Sequence, residues 1–148
     1  MQITVHSENE LPAAVEAVLA FAQDKKKFAL TGDLGAGKTT FAQAFCRHFR
    51  VREKVTSPTY SLVNQYTFLD KNGQEQLIHH LDLYRLESPE EAQEIGIEDY
   101  LYDDAYCLIE WPGIVEQILP DELVHIKIAV LEDGSRRMEF GQGRGAGA

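Results

Sequence analysis

The sequence is poor in the residues that build secreted, membrane-spanning or nucleic-acid-coating proteins. It holds two cysteines in 148 residues, Cys46 and Cys107, too few for a disulfide framework, so a reducing, cytoplasmic setting is expected. No apolar run approaches the roughly 18 residues of a membrane span, and the N-terminus lacks a basic-then-apolar leader. Basic residues are scarce as well: 14 Lys and Arg face 24 acids, a net charge of −10 that disfavours coating nucleic acid or anionic lipid. The remaining composition, 44% hydrophobic, is that of an ordinary globular protein. A single domain over residues 1–140 is expected, followed by a disordered Gly/Ala-rich tail over 141–148.

Patterning along the chain alternates between the two periods. Gln2 to His6 reads as a strand. Ser7 with Glu10 forms a capping-box pattern for a helix from Glu8 to Gln23, whose apolar side carries Leu11, Val15, Val18, Leu19 and Ala22. Phe28-Ala29-Leu30 is short enough for a buried strand, and a second helix from Lys38 to Phe49 repeats Phe41, Phe45 and Phe49 every four residues. Leu62 to Phe68 and Leu77 to Tyr84 read as a hairpin around Asn72-Gly73. Ser88 and Pro89 open a further helix. Tyr106 to Ile109 reads as a central strand, Pro112 to Leu119 as a helix, and Val124 to Val130 and Arg137 to Phe140 as strands joined at Asp133-Gly134. This order implies an α/β fold, a three-layer sandwich with a mixed, largely parallel central sheet plus antiparallel hairpins.

The informative segment is Gly32-Asp33-Leu34-Gly35-Ala36-Gly37-Lys38-Thr39-Thr40, which matches G-x-x-x-x-G-K-[ST] between a predicted strand and a predicted helix. Glycines let successive backbone N–H groups curl inward around phosphate oxygens, and the positive end of the next helix adds to that field. In this pattern Lys38 spans the β- and γ-phosphates, the Thr39 hydroxyl ligates Mg²⁺, and Thr40 serves the α-phosphate. An acidic partner for the metal is required at the end of a central strand. Asp82 and Glu110 are the two candidates, and the sequence leaves open which of them is the direct ligand. Thr56-Ser57-Pro58-Thr59-Tyr60 falls where such proteins place a loop that senses the γ-phosphate, and reads nearly as well as an ordinary proline-bearing loop. No Asn-Lys-x-Asp guanine reader occurs, which favours adenine. No arginine-rich lid is present either.

Four blocks in order resemble the bacterial TsaE (YjeE-type) ATPases of tRNA threonylcarbamoyladenosine synthesis. They are Gly32 to Thr40, Thr56 to Tyr60, His80-Leu81-Asp82-Leu83-Tyr84-Arg85-Leu86, and Ile109-Glu110-Trp111-Pro112. The resemblance implies a P-loop ATPase that binds ATP and Mg²⁺, hydrolyses slowly alone, and works with the TsaD–TsaB complex to support its multiple turnover. It implies Thr39, Asp82 and Glu110 at the metal, and Thr59 and Trp111 near the nucleotide or the partner surface. A monomer is expected that meets tRNA indirectly through the complex, and the sequence leaves open whether it also contacts tRNA directly. Gly113 departs from the family, where an acid commonly follows the proline. Two other classes remain open on the sequence: a small-molecule phosphotransferase, and a nucleotide-gated binding module without hydrolysis.

Several residues have plainer roles. His79 and His80 point to opposite faces of a strand and cannot easily share a metal, so His80 is expected to play a structural or supporting part. Cys46 and Cys107 are expected to be buried thiols. Trp111 fits a core anchor as well as a site residue, and Arg85 fits a structural ion pair better than a phosphate sensor. Charge is also uneven. Glu87 to Asp104 holds eight acids and no base, while Lys25 to Lys54 holds eight bases against Asp33 and Glu53. The acidic stretch reads equally as a solvated helix face and as a docking surface for a basic partner.

Overall fold

The computed structural model describes residues 1–55 and 62–143. Seven strands form one sheet: β1 (Gln2–Val5), β2 (Lys27–Thr31), β3 (Val63–Leu69), β4 (Glu75–Asp82), β5 (Tyr106–Glu110), β6 (Val124–Val130) and β7 (Arg136–Gln142). Their spatial order is β1-β7-β6-β2-β5-β4-β3. The centre, β6-β2-β5-β4, is parallel, and the margins β1-β7-β6 and β4-β3 are antiparallel. The expected mixed sheet is therefore present. Parallel pairing is confined to its middle, where both faces are covered.

Alternation along the central strands splits the core into two layers. Phe28, Leu30 and Leu108 face α1 (Leu11–Ala22) and α2 (Lys38–His48). Ala29, Cys107 and Ile109 face α3 (Pro89–Glu94), α4 (Ile97–Tyr102) and a 3₁₀ segment at Pro112–Ile118. The four-residue phenylalanine repeat of α2 fills the first layer: Phe45 lies 5.4 Å from Phe28, 5.2 Å from Phe49 and 5.6 Å from Tyr106 between ring centroids. Truncating a ring so enclosed to alanine costs about 3–5 kcal/mol. Both cysteines are buried and free, and burial pushes each thiol up to about 12. They act as small hydrophobes.

Four local expectations need correction. The Ser7 side chain makes no capping bond, and residues Glu8–Glu10 form a 3₁₀ turn before α1 begins. Glu10 instead accepts the His6 N–H at 2.7 Å, one residue earlier than a capping box requires. The helix expected from Pro112 is the 3₁₀ segment, kinked at Val115, where Gly113 and the β-branched Ile114-Val115 pair support a regular α-helix poorly. The Gly/Ala-rich tail does not begin at Gly141: β7 continues to Gln142, with Gly141 opposite His125. A Cβ at position 141 would come within 2.8 Å of the His125 imidazole, so the bare glycine lets that ring lie on the strand. Finally, Arg85 is exposed and makes no ion pair among the described residues.

The acidic stretch is not uniformly solvated. Asp103, just after α4, takes Lys27 Nζ at 2.7 Å and His79 Nε2 at 2.8 Å. Lys27 also donates to the carbonyls of Tyr100 and Ala105. This network pins α4 to the N-terminal edge of the central strands, opposite the edge that carries the glycine-rich loop.

Candidate functional site at the carboxyl edge of the sheet

Three parallel strands end side by side here. β2 runs into the loop Gly32–Gly37 and then α2, while β4 and β5 end on Asp82 and Glu110, which are direct cross-strand partners. A crevice outside the carboxyl ends of parallel strands is where open α/β sheets bind ligands. The loop geometry depends on Gly32. Its φ is 149°, and a Cβ there would sit 2.4 Å from the Ile128 carbonyl oxygen of β6. Only glycine lets the loop leave β2 so close to β6.

Lys38 opens α2 and is buried, with Nζ folded back onto the Gly32 carbonyl at 2.5 Å and the Asp33 carbonyl at 3.1 Å. The ammonium also lies 3.9 Å from the centre of the Trp111 ring, a cation–π contact. Burial pushes the Lys38 pKa down, against opposing pulls from Glu110, Asp82 and Asp33. The Thr39 hydroxyl donates to both Glu110 oxygens, at 2.9 and 3.0 Å. Glu110 is buried and has a second partner in His80 Nε2. Asp82 accepts the Tyr84 N–H at 3.1 Å through Oδ1. Burial raises the Asp82 pKa above its ordinary 3.8, and the neighbouring Glu110 adds to the rise, against Tyr84, His80 and Lys38.

One cleft therefore gathers Leu34, Gly35, Gly37, Lys38, Thr39 and Thr40 from the loop and helix with Asp82, Glu110 and Trp111 from the other strands. The Ala36 N–H is spent on a turn to the Asp33 carbonyl, which removes one donor from the expected cradle. Asp33 contributes that carbonyl and its charge. Trp111 lines this cleft rather than the core: it adopts a left-handed backbone (φ 56°) and contacts both Lys38 and Tyr84. Thr59, with its whole block, lies outside the described residues.

The donor set suits a hard divalent cation shared with a ligand. Asp82, Glu110 and Thr39 converge, yet among the described residues no group of three or more His, Cys, Asp or Glu side chains forms a cage. Magnesium characteristically takes one or two carboxylates and completes its shell with phosphates and water. Two residues that support the site had little local signal. His80 holds Glu110, and Arg136 of β7 donates from Nε to the Ala36 carbonyl at 2.9 Å. The strand period hinted at the first. Nothing near Arg136 in sequence points to the second.

Comparison with known proteins agrees with this arrangement. Residues 5–138 match the family described as Threonylcarbamoyl adenosine biosynthesis protein TsaE. The tRNA threonylcarbamoyladenosine biosynthesis protein TsaE of Bacillus subtilis is 34% identical over 137 residues, covering 93% of this chain and 82% of that one. The Haemophilus influenzae protein of the same description is 42% identical over 111 residues, covering 75% and 66%. A crystal structure of Bacillus subtilis YdiB superposes with a TM-score of 0.73 at 28% identity, covering 98% of this chain and 86% of that one. With a family match across most of its length and relatives above 30% identity, the chain belongs to the TsaE family.

Proposed function

We propose that this chain is a Mg²⁺-dependent ATPase that serves tRNA threonylcarbamoyladenosine synthesis by acting on a TsaD–TsaB complex, supporting its repeated turnover. The observation that carries the reading is the convergence of Lys38, Thr39, Asp82 and Glu110 at the carboxyl edge of β2, β4 and β5. Lys38 is held by loop carbonyls and the Trp111 face, ready to exchange them for β- and γ-phosphate oxygens. Glu110 fixes the Thr39 hydroxyl by accepting its hydrogen bond, which leaves the Thr39 oxygen lone pairs for a cation. Asp82 stands beside it with one oxygen engaged by Tyr84. Thr39 and Asp82 are therefore assigned as the protein's metal ligands, with Glu110 orienting Thr39. Bound Mg²⁺ would neutralise charge on the phosphate oxygens.

A second pocket gives the nucleoside a place. It shares Gly37 and Thr40 with the phosphate cleft and is walled by Val5, Leu11, Phe41 and Met138, with Glu8 and Arg136 at its polar rim. Its apolar walls suit a flat purine, and the missing guanine reader favours adenine. Among the described residues no arginine lines the phosphate cleft, which supports slow hydrolysis by the chain alone and a change in rate when a partner docks. Calorimetric titration with ATP, with and without Mg²⁺, tests the reading in wild type and Lys38→Ala. Magnesium-dependent binding that the variant loses is expected. Equal binding by both proteins would contradict the assignment of Lys38.

A further inference from the structure

Arg136 sits where three strands meet the glycine-rich loop. It opens β7, opposite Val130 of β6 on one side and Val5 of β1 on the other. The turn before it is tightly tied: the Leu131 N–H donates to the Ser135 carbonyl at 2.8 Å, and Asp133 Oδ1 accepts the Ser135 N–H at 3.0 Å and its hydroxyl at 2.5 Å. From this base the guanidinium divides its donors. Nη1 goes to the Gly134 carbonyl at 2.5 Å, and Nε reaches across 100 positions of chain to the Ala36 carbonyl at 2.9 Å. Ala36 is 2% exposed, so its carbonyl has little access to water. A Cβ built at Gly37 would lie 3.7 Å from the same Nε, which places the arginine against the peptide that joins Ala36 to Gly37.

That peptide is trans, so its C=O and N–H point in opposite directions. A donor that fixes the Ala36 carbonyl on one side fixes the Gly37 N–H on the other. We propose that Arg136 is a positioning residue for the nucleotide site: by holding the Ala36 carbonyl, it aims the Gly37 N–H at the phosphate groups of a nucleoside di- or triphosphate. Arginine suits this task because its fork engages two carbonyls at once and stays charged throughout the physiological range. The loop's own bonds hold the flanking peptides, Ala36 N–H to Asp33 and Phe41 N–H to Gly37, but among the described residues no loop donor reaches the Ala36 carbonyl, and Gly37 lacks the Cβ that would restrict this peptide. Setting this donor in the folded protein before the ligand arrives reduces the ordering cost of binding.

This inference rests on the nucleotide-binding reading above, and the test separates the two. Wild type, Arg136→Ala, Arg136→Lys and Arg137→Ala are titrated calorimetrically with ADP, and the Gly37 amide resonance is recorded in each protein without nucleotide. Arg137, which pairs with Glu139 on the same strand, is the control. Arg136→Ala is expected to weaken ADP binding by roughly ten-fold, the weight of one charge-assisted hydrogen bond, and to shift the Gly37 amide. Arg136→Lys should restore most of the affinity, and Arg137→Ala should change neither readout. If Arg136→Ala does not fold, Arg136→Lys carries the test through a smaller loss and a shifted Gly37 amide. An unshifted Gly37 amide overturns the proposal, and affinity loss without that shift reassigns Arg136 to direct ligand contact. Absence of ADP binding by wild type would overturn the nucleotide reading, while the Gly37 readout still decides the positioning role.

Discussion

His80 Nε2 lies 2.5 Å from Glu110 Oε2, with the two side chains 0% and 3% exposed, and this buried contact ties β4 through Glu110 to the Thr39 hydroxyl of α2. Among the described residues the Nδ1 atom of His80 has no hydrogen-bond partner. A ring that carries its proton on Nε2 leaves only a lone pair there, whereas the other tautomer would bury an unpaired N–H against no acceptor. His80 therefore donates to Glu110, and Glu110 in turn accepts from Thr39.

Removing that donor leaves a buried carboxylate half satisfied. His80→Ala is expected to lower stability by about 2–3 kcal/mol and to slow hydrolysis by roughly ten-fold. His80→Gln, which keeps an N–H donor of similar reach, should recover part of both. Urea denaturation and phosphate release measure the two effects, and wild-type values in His80→Ala would remove the histidine from the support of Glu110.

Asp82 shows the opposite sign. It is half-buried beside another acid, and its carboxylate is penalised by burial and by Glu110. Asp82→Asn keeps an oxygen for the Tyr84 N–H while removing the charge. The variant is expected to melt higher than wild type in the absence of nucleotide and to lose activity by at least about 100-fold, the trade expected at a strained site. A lower melting temperature would show that the charge is structural.

Gly32 and Gly113 make a matched pair. A Cβ at Gly32 meets the Ile128 carbonyl oxygen at 2.4 Å, whereas one at Gly113 meets nothing within 4 Å. Gly32→Ala should cost about 2–4 kcal/mol through backbone displacement and abolish ADP binding. Gly113→Ala should leave stability within about 0.5 kcal/mol of wild type. Thermal melts with and without ADP compare them, and equal melts would refute the close packing of the loop on β6.

Asp103 provides the pH signature. Burial pushes its carboxyl up, but Lys27, His79 and the Ala105 N–H together outweigh that and hold it below its ordinary 3.8. Its stabilising effect is then fully present above the unfolded value and is lost as pH falls through the lower folded value. Asp103→Asn should cost about 1–2 kcal/mol at neutral pH, reduced from a fully buried pair because Asp103 is partly exposed. The gap between variant and wild type should close as acid denaturation proceeds below pH 3.8. A gap that stays constant with pH would show that the carboxylate charge is not involved.

Elements with a local signal were legible in the sequence: β2, β5, the Asn72-Gly73 hairpin and the phenylalanine face of α2 all follow from period and turn chemistry. The glycine-rich spacing and the strand ends also single out Lys38, Thr39, Asp82 and Glu110, which the structure gathers in one cleft. The placement of β6 between β2 and β7 was not, since strand order is decided by long-range packing. Arg136 was missed for the same reason: its partner, Ala36, becomes a neighbour only when β7 folds back across the sheet. The capping at Ser7 failed on a smaller scale, because a 3₁₀ turn at Glu8–Glu10 shifts the Glu10 carboxylate to His6.

The central claim is that the site hydrolyses ATP slowly by itself and in step with a TsaD–TsaB complex. The direct measurement is phosphate release and threonylcarbamoyl-tRNA formation by the purified chain, with and without those partners. Slow release alone, a changed rate with the complex and repeated rounds of tRNA modification only when Lys38 is intact are expected. Rapid release in isolation, unaltered by TsaD–TsaB, would contradict it.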